Sequence, residues 1–151
     1  MRPEDVDAVT EMWRVMAEQH VRYDPQRWDW TDDYAGVQRR QLLETMNDPD
    51  HVLLVAEDET GRVVGYLLAV LMQPGPIWRV RRRAEVTDVY VASRHGRRGI
   101  GQMLMEKAFQ ELRGRDAEDV VLRVSEANRS AIRLYRKVGM RLVTHEMYRR
   151  L

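Results

Sequence analysis

An α/β fold with a mixed, mostly antiparallel sheet flanked by helices follows from three features of this chain. Two apolar runs, "HVLLVAED" and "VVGYLLAVLM", lie on either side of the turn-like "EDETGR", which predicts a hairpin. A β-branched run, "AEVTDVYVA", a helical pattern and "DVVLRV" then follow in strand–helix–strand order. Helical periodicity, not alternation, marks two stretches within the first 46 residues. A length of 151 residues fits one domain, spanning 1–151.

The first helix is expected from Pro3 to Arg22, with Val6, Val9, Trp13, Met16 and His20 on one face. Pro3 suits a first turn, and Glu4 and Asp5 complement a helix N-terminus. "YDPQRWDWTDD" breaks the pattern, and a second helix is expected from Tyr34 to Met46. The hairpin strands come next and end at "QPGP". The basic run "RVRRR" (Arg79 to Arg83) reads as a solvated loop, with contact to an anionic ligand as the alternative. After the third strand, Ile100, Met103, Leu104, Ala108 and Leu112 form an amphipathic stripe. Beyond "DVVLRV", Asn128 caps a short helix with an inner face of Ala131, Leu134, Tyr135 and Val138. Gly139 ends that helix, and "RLVTHEMYRRL" is expected to close the sheet as a strand.

Composition narrows the function. Lys plus Arg is 25 and Asp plus Glu is 24, so no overall charge draws the chain to nucleic acid or an anionic membrane. There is no cysteine, which excludes thiol nucleophiles and fits a reducing compartment. No run approaches the ~20 apolar residues of a membrane span. "MRPEDVDAV" lacks the apolar core of a signal peptide, so a cytoplasmic setting is expected. His20, His51, His95 and His145 show no metal-ligand spacing, and no metal is expected. No G-x-S-x-G elbow supports a serine hydrolase.

"RHGRRGIG" (Arg94 to Gly101) sits between a strand and a helix. Gly96 and Gly101 have triphosphate-loop spacing, but Gln102 and Met103 stand where Lys and Ser or Thr must be. A dinucleotide fingerprint from Gly99 fails at Leu104, where a small residue is needed. What remains is a run of backbone donors ahead of a helix, suited to a pyrophosphate, with Arg94, Arg97 and Arg98 as outer charges. A plain strand–helix turn that needs glycine for positive φ is the alternative.

"VTDVYVASRHGRRGIGQMLMEKA", followed by "VSEANRSAIRLYRKVGM", resembles the GNAT family of acyl-CoA-dependent N-acyltransferases. The first block carries that family's Q/R-x-x-G-x-G/A signature, with Gly96 at the Q/R position and an arginine, Arg97, one residue later. The second carries Asn128, Ala131, Tyr135 and Gly139, with Met140 in place of the usual Phe. The family's first strand is nearly absent, because the first helix begins almost at Met1.

The resemblance implies a sheet with a splayed central parallel strand pair and acetyl-CoA as co-substrate. It implies that Gly96, Arg97, Arg98, Gly99, Ile100, Gly101 and Gln102 hold the pyrophosphate. The backbone of Val89, Tyr90 and Val91 would hold the pantetheine arm, with Asn128 contributing from its helix cap. Tyr135 would protonate the leaving thiolate, or else be a core tyrosine with a satisfied hydroxyl. The reaction implied is direct attack by an amine of a small molecule or peptide. An aliphatic amine has a pKa near ~10 and must first lose a proton. Glu85, fourteen residues before Gly99, and Asp88 are the candidate bases, with ordered water as the alternative. Alternation along the strand sends Asp88 to the face opposite Glu85. Tyr23, Trp28 and Trp30, with Asp29, Asp32 and Asp33 among them, are candidates to receive a cationic acceptor, or else anchor the loop. A homodimer is compatible with the family, though no stretch specifies an interface. A cofactor-binding module without turnover is the other reading.

Overall fold

The computed structural model describes residues 1–96 and 98–150. A short 3-10 turn at Pro3–Asp5 leads into α1 (Val6–Tyr23), followed by α2 (Tyr34–Thr45). Then come β1 (His51–Glu57), β2 (Val63–Met72), β3 (Arg83–Val91), α3 (Ile100–Arg113), β4 (Asp119–Leu122) and α4 (Arg129–Lys137). The four strands form one sheet in the order β1-β2-β3-β4. The first two pairings are antiparallel and the β3–β4 pairing is parallel, as the mixed-sheet reading requires.

β2 is the centre of the packing. Its unbroken apolar sequence fits a strand covered on both faces. Leu67, Ala69 and Leu71 face α3, where Leu104, Met105, Ala108 and Leu112 are buried with them. Tyr66 and Leu68 face the other way, onto Val6, Val9, Trp13 and Ala17 of α1 and Leu42 of α2. One position of the predicted α3 stripe is wrong: Met103 is exposed and Met105 takes its place in the core. At 3.6 residues per turn, 105 stacks with 104, 108 and 112, while 103 falls at the rim.

The parallel pair is clamped at one end. Arg83 sits opposite Asp119 and donates to both its carboxylate oxygens, at 2.8 Å and 2.6 Å. Arg82 pairs with Asp50 at 2.7 Å. Two arginines of the basic run are therefore structural, in contrast to the solvated loop expected there.

The closing strand is not formed. Residues 141–150 carry no sheet pairing and run exposed beside the loop after α1; Leu151 lies outside the described residues. Arg27 bonds Glu146 at 3.0 Å, the Tyr148 hydroxyl donates to the Gln26 carbonyl at 2.8 Å, and Arg150 pairs with Asp29 at 2.8 Å. Strand propensity reports fit to a pleated, half-buried surface. Here the polar ends of the segment find partners on a distant loop, and the backbone follows them.

Gly65 in β2 has a structural reason to be glycine. A Cβ there would stand 2.9 Å from the Tyr90 carbonyl oxygen of β3. Gly→Ala at a permissive site stabilises by about 0.4–1 kcal/mol through the unfolded chain, whereas overpacking costs about 1–3 kcal/mol. The clash dominates, so Gly65→Ala is expected to lower the urea midpoint. An unchanged or raised midpoint would show that the strands can part at no cost.

Candidate active site

β3 and β4 pair from Arg83–Asp119 to Val86–Leu122 and no further. From Thr87 onward β3 keeps only β2 as a partner. The two strands therefore part, as a splayed parallel pair requires. Ala92 donates its N–H to Val64 of β2 at 2.9 Å, so Tyr90, two residues back, also points its N–H toward β2. The N–H groups of Val89 and Val91 point the opposite way, to the open side. Val89 and Tyr90 thus present different backbone edges, and only the valines face the gap.

A β-bulge marks the parting point. Leu68 opposes Asp88 and Ala69 opposes Val86, which leaves Thr87 without a partner. The extra residue resets the alternation. Ala84 and Val86 face α3 before it, and Val89 and Val91 face α3 after it. Glu85 and Asp88 consequently lie on the same face of the sheet, not on opposite faces as unbroken alternation predicts.

The two carboxylates have different surroundings. Glu85 pairs with Arg123, just beyond β4, at 2.8 Å. Asp88 accepts the indole N–H of Trp13 at 3.0 Å. Burial pushes the Asp88 carboxyl above its ordinary value, against the opposing effects of the Thr87 hydroxyl, the Trp13 N–H and the charge of His20. Tyr135 is half-buried on α4, within electrostatic reach of Asp88. Burial, reinforced by that carboxylate, pushes its hydroxyl up to about 12. Sequence periodicity places Trp13 on a core face but does not identify its acceptor; the need of a buried indole N–H for a partner is the only signal it offers.

The glycine turn leads into α3. Gly99 has φ of +82°, the left-handed region, and precedes the first helical residue. No side chain caps this terminus, so the first-turn N–H groups of Ile100, Gly101 and Gln102 lack intrahelical acceptors. The Gln102 side chain is tied to Glu106 at 2.7 Å, leaving its backbone N–H as the available group. Gly101 has a packing role: a Cβ there would meet Leu134 of α4 at 3.1 Å. Arg94 and Arg98 are exposed beside the turn, and among the described residues neither is ion-paired. Gly96 is exposed within the turn; Arg97 lies outside the described residues. Asn128 caps α4, its Oδ1 accepting from the Ala131 N–H at 3.1 Å and the Ser130 hydroxyl at 3.0 Å.

The aromatic loop joins the site through a continuous chain of rings. Tyr23 meets His20 at 5.9 Å, His20 meets Trp28 at 4.7 Å, Trp28 meets Trp30 at 5.4 Å, and Trp30 meets Trp13 at 5.5 Å. Trp13 then reaches Asp88 through its indole N–H. Tyr23 and Trp28 are therefore remote members of this chain, while Trp30 adjoins the ring that holds the carboxylate. The guanidinium of Arg27 lies over Trp28 at 4.9 Å. Asp29 and Asp33 are paired with Arg150 and Arg40, so these two acids already serve the chain's own arginines.

The chain matches the Acetyltransferase (GNAT) family over residues 10–140. It is 29% identical over 142 residues to a phosphinothricin N-acetyltransferase from Streptomyces coelicolor, covering 93% of this chain and 78% of that one. It is 38% identical over 85 residues to an N-terminal acetyltransferase complex ARD1 subunit homolog from Dictyostelium discoideum, spanning 56% of this chain and 39% of that one. Its fold superposes on a GCN5-related N-acetyltransferase from Ralstonia eutropha with TM-score 0.76 and 22% identity, covering 100% of this chain and 95% of that one. It also superposes on a tetramutant protein from Bacillus halodurans with TM-score 0.88 and 20% identity, covering 100% and 97%. The parted strands, the uncapped start of α3 and the capped α4 thus belong to a chain that is a member of the acetyltransferase (GNAT) family of acyl-CoA-dependent N-acyltransferases.

Proposed function

We propose that this protein transfers an acetyl group from acetyl-CoA to an amine of a small molecule or peptide, by direct attack in a ternary complex. One observation carries the reading: β3 leaves β4 after the Val86–Leu122 pair, so the N–H groups of Val89 and Val91 point to an open side, with Asp88 and Tyr135 within electrostatic reach of each other. A proton acceptor and a proton donor thus lie near the unpaired β3 amides. The first-turn N–H groups of α3, with Arg94 and Arg98 outside them, are suited to the pyrophosphate. The amides of Val89 and Val91 are suited to the pantetheine arm. A small-molecule acceptor is supported by the Streptomyces coelicolor relative, which spans 93% of this chain and is named for phosphinothricin. The lack of cysteine supports a cytoplasmic setting.

Asp88 is the better base. Among the described residues no guanidinium pairs with it, whereas Glu85 is engaged with Arg123. The amine gives a proton to Asp88 and its nitrogen attacks the thioester carbonyl. As the C–S bond breaks, the Tyr135 hydroxyl gives its proton to sulfur, and the second proton lost by the attacking nitrogen restores that hydroxyl. A hydroxyl held near 12 stays protonated at neutral pH, as an acid must. Positioning two bound substrates supplies much of the remaining rate.

Calorimetric titration with acetyl-CoA is expected to show binding, and its absence at millimolar concentration would sink the proposal. Binding without CoA release across a broad amine panel would instead favour a module without turnover. The base must be ionised, so kcat/KM should fall as pH drops through the Asp88 pKa. That limb should lie above the ~3.9 of a free aspartate, because burial raises the pKa. Asp88→Asn should abolish the limb while Glu85→Gln keeps it; the reverse pattern would return the role to Glu85. Tyr135→Phe should lower kcat by about 100-fold or more with acetyl-CoA affinity retained. An unchanged kcat would remove Tyr135 from the acid role.

A further inference from the structure

We infer that Trp13 is a positioning residue, whose indole N–H fixes one oxygen of Asp88 so that the other takes the proton. The inference rests on the reading of Asp88 as base. Trp13 is 9% exposed and lies in the core with Val9, Ala17 and Leu42. Its ring meets Trp30 edge-on at 5.5 Å and Tyr34 at 5.9 Å, so packing sets the direction of its N–H. That N–H meets Oδ1 of Asp88 at 3.0 Å.

The indole is a donor only. Oδ1 therefore keeps a lone pair toward Trp13 and cannot carry a proton in that direction. A proton on the second lone pair of Oδ1 would weaken the indole bond, so Oδ2 is the favoured site for the new O–H bond when the amine N–H bond breaks. A hydroxyl or an imidazole in the same place could reverse its role and leave the proton on either oxygen. The bulge makes this restraint useful. Asp88 follows the unpaired Thr87, so the ladder around it is interrupted. The titratable groups that face Asp88 are His20 from α1, Tyr66 from β2 and Tyr135 from α4. Among the described residues none of these three hydrogen-bonds its carboxylate; the Thr87 hydroxyl favours its ionised form alongside Trp13.

Trp13→Phe keeps an aromatic ring and removes the N–H. A donor that favours the ionised form is lost, so the acidic limb of kcat/KM should move about one pH unit upward. kcat should fall about tenfold, with acetyl-CoA affinity unchanged. A purely structural role would lower the melting temperature or the folded fraction and leave the limb in place, and that result would overturn the inference. If Trp13→Phe does not fold, the wild-type protein labelled at indole nitrogen supplies the test. One indole N–H resonance, absent in Trp13→Phe or assigned through its contacts with Tyr34, should titrate with the midpoint of the acidic limb. No titration would overturn the inference. The two ideas fail separately: an acidic limb that survives in Asp88→Asn removes the base, whereas a limb lost there but unmoved in Trp13→Phe removes only Trp13.

Discussion

Parallel strands cannot be joined by a hairpin, so β3 and β4 are brought together by α3 and held by their own short ladder. That ladder is bolted at its start by the Arg83–Asp119 pair and released four residues later. The release point coincides with the bulge at Thr87. Everything that bears on chemistry depends on this coincidence. It leaves the Val89 and Val91 amides facing open space. It also turns Asp88 toward α1.

Burial separates the two acids of β3. Glu85 keeps a guanidinium at 2.8 Å, which is a settled arrangement for a carboxylate. Asp88 has only neutral donors among the described residues, the Thr87 hydroxyl and the Trp13 indole, and a raised pKa, so ionising it opposes folding. Because its folded pKa lies above the unfolded one, its contribution to stability is full below about pH 3.9 and is lost as pH rises through the folded value. The ionised form is therefore the one the fold disfavours.

Much of the architecture was legible because it depends on local physics. The two apolar runs and the β-branched run marked β1, β2 and β3. Asn128 marked the start of α4, and Gly139, at φ of +88°, marked its end. The failures share a different cause. A bulge is an agreement between two strands, so counting along β3 alone could not place Thr87 or set Glu85 and Asp88 on one face. The segment after α4 has strand-like composition, but its partners lie more than a hundred residues earlier, at Gln26, Arg27 and Asp29. Trp13 was legible as core and silent as a donor. The choice between the two carboxylates turned on burial and on Arg123, neither of which local sequence displays.

Gly101 was first of interest as a backbone donor for phosphate, and its contact with Leu134 adds a second constraint. The glycine-rich turn and the Asn128–Gly139 block are far apart in sequence, yet they touch here, side chain against missing side chain. The two motifs are therefore one joint with a shared volume. Enlarging position 101 calls for a smaller residue at 134, so in descendants of this sequence the two positions should change together.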